Sequence, residues 1–369
     1  MASGLRKTRK INMMDARNLL KLLIIVLAFI FIGSTIMILN NFHMLSNSHS
    51  NIPTILEKAV PTILEKEALF TITLADNPFC NSLKGALSPG PENRTMIHAF
   101  VSNAGHFPIL HNALLTMRRN RMPWTPLVLS IGENVCPMLA KVSELKGYVL
   151  CVPYLERLFE QLQRDEPESV KQIQPFLRKN TTSSSHNDNN NNNSSGFEII
   201  DTTFYGWGSV QHKFLINSKL YALRDVLECG ADAFITDTDI GFNKDPRPFF
   251  EISGPKGDII AQNDTNKNYE LSLNSGFMYW KTTDQNLDLI HDIITVPPFW
   301  HIDQARVNTR MYKRNTPHTI LDLFHFPNGN FFNRNFNEMD DIVVLHANWN
   351  DKQHEKENML KEANLWFLE

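Results

Sequence analysis

The order of apolar and polar positions divides the chain into unlike stretches. Leu22–Leu39 runs 18 residues without a charge, at the short end of the length that crosses a bilayer. From residue 41 to 92 the apolar positions thin out and prolines interrupt them. From Met96 onward, short apolar runs alternate with segments of helical period. Between residues 163 and 196 almost nothing is left to bury, and the alternation resumes at Phe197.

Within the alternating part, Met96–Val101, Leu127–Ile131 and Tyr148–Val152 read as strands. The helical spacing of Leu110, Leu114 and Met117 predicts a helix after the first, Met138 to Leu145 one after the second, and Leu155–Leu162 one after the third. Ile216, Leu220, Leu223 and Leu227 mark a further helix, and Gly230 stands where a helix end favours a residue free to take positive φ. Then come an apolar strand through Phe234 and Ile235, a strand in Gly257–Asp264, another in Leu273–Lys281, and an amphipathic helix from Asp284, a good N-cap residue, to Ile294. His301–Arg306 opens a polar helix, and Ile342–Leu345 is a last strand that delivers His346. Repeated strand–helix units predict an α/β domain with a mixed, mostly parallel sheet and helices on both faces.

The flanks assign the rest. Residues 1–21 carry Arg6, Lys7, Arg9, Lys10, Arg17 and Lys21 against one acid, Asp15. Basic residues before an apolar span keep the N-terminus cytosolic and send the remainder across. A cleaved signal peptide is the alternative; the long basic region and the length of the apolar run favour an uncleaved anchor. The expected organisation is a cytosolic tail (1–21), a transmembrane signal anchor (22–40), a stem (41–92) and a domain (93–369) with a disordered insertion at about 163–196. The stem repeats Pro-Thr-Ile-Leu-Glu-Lys at 53–58 and 61–66, which reads as a spacer. A single-pass type II protein of the Golgi membrane, with its large domain lumenal, is the expected location. The short span fits a thin early-secretory membrane.

Composition adds limits. With 42% apolar residues over 369, the chain can bury a sizeable core, and a formal charge of −3 gives no reason to expect nucleic acid. The four cysteines, Cys80, Cys136, Cys151 and Cys229, lack metal-site spacing; an oxidising compartment would allow one or two disulfides, with the pairing open. Glycosylation sequons occur at Asn93, Asn180, Asn192, Asn193 and Asn263.

The chemistry gathers on Asp237-Thr238-Asp239, which leaves the carboxyl end of an apolar strand, where open α/β sheets hold ligands. Two carboxylates there suit Mn²⁺ or Mg²⁺ on a diphosphate, and His346 after a late strand would complete a metal site. An EF-hand is excluded, because counting from Asp237 the sixth position is Phe242 and the twelfth Pro248. His98, His106, His111 and His354 have no metal spacing and read as structural. Trp280 and Trp349 read as packing residues rather than sugar platforms.

Several pieces then fall in a specific order: Lys219 in the helix before the acids, Asp245-Pro246, Gln262-Asn263-Asp264, Leu273–Tyr279, Asp303-Gln304, Phe326–Gly329, and His346-Ala347-Asn348-Trp349 with Lys356 downstream. In this, residues 197–369 resemble the nucleotide-diphospho-sugar transferase domain of glycosyltransferase family 77. The resemblance implies a GT-A-type fold and metal-dependent transfer from a nucleotide sugar to a glycan or glycoprotein, with retention at the anomeric carbon. It implies Asp239 as principal metal ligand, Asp237 on the ribose or metal, His346 as further ligand, and Lys356 at the diphosphate. Lys352 competes for that last role, since the segment lacks the family's usual glycine. Lys219 is either a nucleotide contact or a solvated helix lysine. Asn274 would bind donor sugar or acceptor, or serve as an edge hydrogen-bonding residue. Asp264 would orient sugar hydroxyls. Asp303 would be an N-cap, a nucleophile, or a carboxylate stabilising an oxocarbenium-like state. Galactose, xylose and arabinose are all transferred within that family. Two other classes remain: a non-catalytic glycan-binding protein on the same fold, and a nucleotide-sugar hydrolase.

Overall fold

The structure, a computed structural model, describes residues 77–173, 177–179, 197–199, 208–252, 257–265, 272–295 and 302–368. The apolar span, the duplicated hexapeptide and the sequons at Asn180, Asn192 and Asn193 lie outside the described residues.

In chain order the strands are β1 (Ser88–Pro89), β2 (Thr95–Ser102), β3 (Leu127–Ser130), β4 (Leu150–Pro153), β5 (Leu177–Lys179), β6 (Phe197–Ile199), β7 (Asp232–Thr236), β8 (Ile240–Phe242), β9 (Ile259–Asn263), β10 (Leu273–Trp280), β11 (Thr319–Leu321) and β12 (Val344–His346). The helices are α1 (Pro78–Ser82), α2 (Phe107–Arg119), α3 (Val135–Lys141), α4 (Leu155–Asp165), α5 (Pro167–Ile173), α6 (Val210–Glu228), α7 (Arg247–Ile252), α8 (Asp284–Thr295), α9 (Asp303–Arg314), α10 (Gly329–Asn335) and α11 (Gln353–Glu362). The main sheet runs β11-β9-β10-β7-β2-β3-β4, with β1 paired to the start of β2. β10 and β1 run antiparallel to their neighbours; the other pairings are parallel. The architecture is thus mixed α/β with a mostly parallel sheet.

Strands covered on both faces read as nearly continuous apolar runs rather than as alternations. β2 and β7 do so, and one core cluster lies on each side of the sheet. The chain steps outward from β2 to β3 and β4, then returns to the other side of β2 with β7. The carboxyl ends of β2 and β7 therefore flank the point where strand order reverses, the place where open sheets form a crevice. Helix α6 feeds β7. The Ser209 hydroxyl caps it by accepting from the His212 N–H at 3.1 Å, and Gly230 closes its end at φ +86°.

Some boundaries move. Residues 77–92, read from composition as stem, belong to the folded unit. Leu83 is buried there, and Cys80 is bonded to Cys229 beyond α6. Cys136–Cys151 is the second disulfide. Residues 163–173, read as insertion, continue α4 and form α5, because Val170 and Ile173 reach the core. The cap of α8 is Thr283, whose hydroxyl accepts from the Asn286 N–H at 3.2 Å; Asp284 is the first helical residue. The two described sequons differ. Asn93 is exposed, whereas Asn263 is buried with its Oδ1 accepting from the Thr265 N–H at 3.1 Å.

Candidate active site

Thr236 is the last residue of β7, and the acids follow it directly. The Asp237 N–H donates to the Gly276 carbonyl at 2.8 Å, which prolongs the β7–β10 pairing by one step. Gly276 has to be glycine. A Cβ there would lie 2.3 Å from Asp237 Oδ2 and 2.5 Å from His346 Cε1. The chain then enters β8, which pairs antiparallel with β12 so that His346 stands opposite Ile240. The Ala347 N–H donates to the Asp239 carbonyl at 2.8 Å. A two-stranded ladder of three residues on each side thus carries His346 to the acids across more than a hundred residues of sequence.

His346 Nε2 lies 3.2 Å from Asp239 Oδ1 and 3.7 Å from Asp237 Oδ2. One ligand atom from each of these three residues falls within 4.8 Å of the others. The fit to a divalent cation rests on the donor set and on one orphan. Two carboxylates and an imidazole suit Mn²⁺, or Mg²⁺ with fewer nitrogen contacts. His346 Nε2 is buried and, among the described residues, makes no well-aligned hydrogen bond, although Asp239 Oδ1 stands 3.2 Å away.

Cations flank the acids. Lys356, on α11, meets Asp239 Oδ2 at 2.6 Å. Lys219, on α6, is buried between Asp237, which it contacts directly, and Asp303 at 3.1 Å. Burial alone would push the Asp239 carboxyl up; Lys356 and His346 beside it outweigh burial and hold it well below the usual range. Burial would likewise lower the Lys219 ammonium, but Asp237 and Asp303 raise it, so it stays charged. A cavity of about 70 Å³ opens over this group, lined by Val101 and Ile109, by His106 and His212, and by Lys219, Thr238 and Lys356 beside the acids. Burial lowers both histidines, His106 to about 4. A larger cavity of about 410 Å³, lined by Asp258, Gln285, Asp288 and Arg314 among others, holds none of these groups.

Beyond His346 lies a polar cluster centred on Asp264. Asn274 Nδ2 donates to Asp264 Oδ1 at 2.8 Å, Gln304 Nε2 to Oδ2 at 2.7 Å, and Asn348 Nδ2 to Oδ1 at 3.2 Å. Burial raises the Asp264 carboxyl against these donors.

The structure thus brings Asp237, Asp239, His346, Lys219 and Lys356 together, and sets Asp264 and Asn274 in the adjoining cluster. Lys352, the competing lysine, points elsewhere: its side chain is 67% exposed and faces Glu355 at 3.7 Å. Asp303 does not cap its helix, being the first residue of α9, and its carboxylate sits behind Lys219 with 4% of the side chain exposed. It does not line the cavity. In the sequence His106 reads as structural, Gln262, Gln304 and Asn348 stand among the ordered pieces without a role of their own, and His212 goes unremarked. A signal existed for His212, seven residues before Lys219 and so on the same helix face. It existed for Gln262 too, two residues before Asp264 on one face of a strand.

Residues 184–360 match the family model described as nucleotide-diphospho-sugar transferase. The segment that carries the site is similar to that family. No curated protein matches the chain. Among solved structures, mouse xyloside xylosyltransferase 1 in its apo form is 12% identical, with 70% of this chain and 99% of that chain covered and a TM-score of 0.43. The galactosyltransferase LgtC, in complex with donor and acceptor sugar analogues, is 12% identical over 74% of this chain and 96% of that one, at a TM-score of 0.42. The glycosyltransferase GlyE of Streptococcus pneumoniae TIGR4 is 11% identical over 72% and 59%, at 0.37.

Proposed function

We propose that this chain is a glycosyltransferase of family 77 type on a GT-A fold, which moves a glycosyl group from a nucleoside diphosphate sugar to a hydroxyl of a glycan or glycoprotein. The observation that carries the reading is the convergence of Asp237, Asp239 and His346, with Lys356 and Lys219 against the same carboxylates. In the transfer, the bond from the anomeric carbon to the diphosphate oxygen breaks, and the acceptor oxygen bonds that carbon and loses its proton. Negative charge gathers on the departing diphosphate. A divalent cation held by Asp237, Asp239 and His346 would supply positive charge against it. Lys356 adds an ammonium at the same place, held against Asp239, and Lys219 balances Asp237 and Asp303 from behind. Asp264 and Asn274 supply acceptors and donors for sugar hydroxyls. Retention of configuration is part of the proposal, supported by the family resemblance.

Membrane anchoring and a Golgi lumenal location belong to the proposal as well. They are supported by the basic flank and apolar run of residues 6–39 and by two disulfides, which suit an oxidising compartment. Among the described residues, no helix is long and apolar enough to cross a membrane.

The full-length chain in detergent, given Mn²⁺ and UDP-galactose, UDP-xylose or UDP-arabinose, is expected to release UDP from one of them. Asp239→Ala is expected to lower that release by about two to three orders of magnitude, as for loss of a group that meets transition-state charge. Full activity in that variant sinks the reading. Product analysis by NMR separates a glycoside from free sugar, and α from β linkage.

A further inference from the structure

We propose that Trp349 is the aromatic floor of the subsite that receives the acceptor's sugar ring. The proposal rests on the transferase reading above and assigns it a residue.

The two tryptophans that read alike in sequence part company in the fold. Trp280 is wholly buried, whereas Trp349 is 59% exposed. A lone exposed apolar residue is ordinary; the backbone and the neighbours of Trp349 are not. Its φ is +62°, in the left-handed region that bulky residues enter only when their surroundings impose it. The surroundings do so. Asn348 Oδ1 accepts from the Gly329 N–H at 2.8 Å, while its Nδ2 donates to Asp264. Gly329 is pressed against this turn so closely that a Cβ would lie 2.0 Å from the Asn348 carbonyl oxygen. The indole thus stands on a braced turn, with more than half of the residue left to solvent.

Pairings along this turn set out a direction. His346 meets Gln262, two residues on Asn348 meets Asp264, and Trp349 follows. Exposure climbs along the same path, from 1% at His346 to 59% at Trp349. The carboxylates and lysines that face a diphosphate lie at the buried end. The exposed end offers an aromatic face beside Asp264, Asn274, Gln304 and Asn348. Sugar rings present an apolar C–H face and a rim of hydroxyls, so an indole floor next to a polar cluster matches both parts of one ring. The ring at the solvent end belongs to the molecule that supplies the attacking hydroxyl.

Binding of methyl α- and β-glycosides of galactose, xylose, arabinose, glucose and mannose to the full-length chain in detergent, read by saturation-transfer NMR, tests this without donor turnover. At least one glycoside is expected to bind, with saturation strongest on ring C–H protons. Trp349→Ala is expected to weaken it about five- to tenfold, the scale of one lost aromatic stack, and Trp349→Phe to stay within about twofold. Trp349→Asn removes the ring while keeping a residue that tolerates positive φ; with an unchanged Tm it should weaken binding as the alanine does. Binding of no glycoside by the parent chain, or parent-like affinity in the alanine and asparagine variants, overturns the subsite. Failure of the transferase reading shows separately, as absence of UDP release with every donor.

Discussion

Gln262 Oε1 accepts a hydrogen bond from His346 Nδ1 at 2.9 Å, and this bond decides which imidazole nitrogen faces the acids. The orientation of the amide is set from its other end. Gln262 Nε2 donates to the Phe326 and Pro327 carbonyls at 3.0 and 2.9 Å, so Oε1 has to be the atom that meets the ring. His346 Nδ1 then carries the proton, and Nε2 presents a lone pair toward Asp237 and Asp239. Partners of this kind fix the tautomer and aim of a metal-binding histidine. Gln262→Leu is expected to weaken Mn²⁺ binding about 10–100-fold, measured by titration with Mn²⁺ alone. Unchanged affinity would remove Gln262 from the site.

Two lysines of α11 and its cap separate by position. Lys356 meets Asp239 at 2.6 Å, whereas Lys352 lies out in solvent beside Glu355. Lys356→Ala is expected to lower kcat/KM for donor cleavage by about 10²–10³, in line with loss of one electrostatic contact to developing charge. Lys352→Ala should remain within about twofold, as for a screened surface charge. Steady-state kinetics on the pair of variants checks the order.

Beneath the site, Arg306 on α9 is buried with Glu166 at 2.9 Å, Asn217 Oδ1 at 2.8 Å and the Ile294 carbonyl at 2.6 Å. Glu166 also accepts from Tyr221 at 3.0 Å and Ser169 at 2.9 Å. Removing one charge of a buried pair strands the other, at a cost of about 3–5 kcal/mol. Glu166→Gln should lose stability on that scale in urea unfolding. Glu166→Leu with Arg306→Met should recover much of it, since neither charge is then left alone.

His98 carries a pH signature. Trp124 Nε1 donates to its Nδ1 at 2.9 Å, so Nε2 holds the proton and faces Thr236 Oγ1 at 2.8 Å. Phe100, Phe234 and Phe242 pack around the ring, and burial holds its pKa well below the ordinary imidazole value of about 6.5. Above that value both folded and unfolded forms are neutral, and stability is in full. As pH falls below it, the unfolded chain takes up a proton that the native ring refuses. Stability is then expected to drop by about 1.4 kcal/mol per pH unit from this group, until its folded pKa is reached. Tm measured from pH 7 to 4.5 should fall less steeply in His98→Asn than in the parent.

Sequence conveyed most of the sheet because its central strands are buried on both faces. Met96–Val101 and Phe234–Ile235 announce themselves by apolar content alone. It conveyed Asp239 and His346 because acids and imidazole at strand ends are chemically conspicuous. What it hid depended on contacts across long separations. β8 is three residues long and is held by its pairing with β12, a hundred residues away. Nothing local distinguishes Lys352 from Lys356; the register of α11 places one inward and the other outward. The pairing of the cysteines was open for the same reason. Asp303 stood open between a helix cap and a catalytic carboxylate, and its place behind Lys219 depends on α6, far away in sequence. Trp280 and Trp349 could not be told apart, since burial of one and exposure of the other is a property of the turn after β12.

The short ladder of β5 and β6, in which Leu177 faces Ile199 and Lys179 faces Phe197, bears on how this chain can vary between relatives. It joins the two ends of the asparagine-rich run, so the distance to be spanned is set by the pair and not by the run. The entropy of closing such a segment grows only with the logarithm of its length, by roughly 0.6 kcal/mol for each doubling. Adding or removing a few asparagines between these two strands would therefore change the stability of the domain by less than that amount.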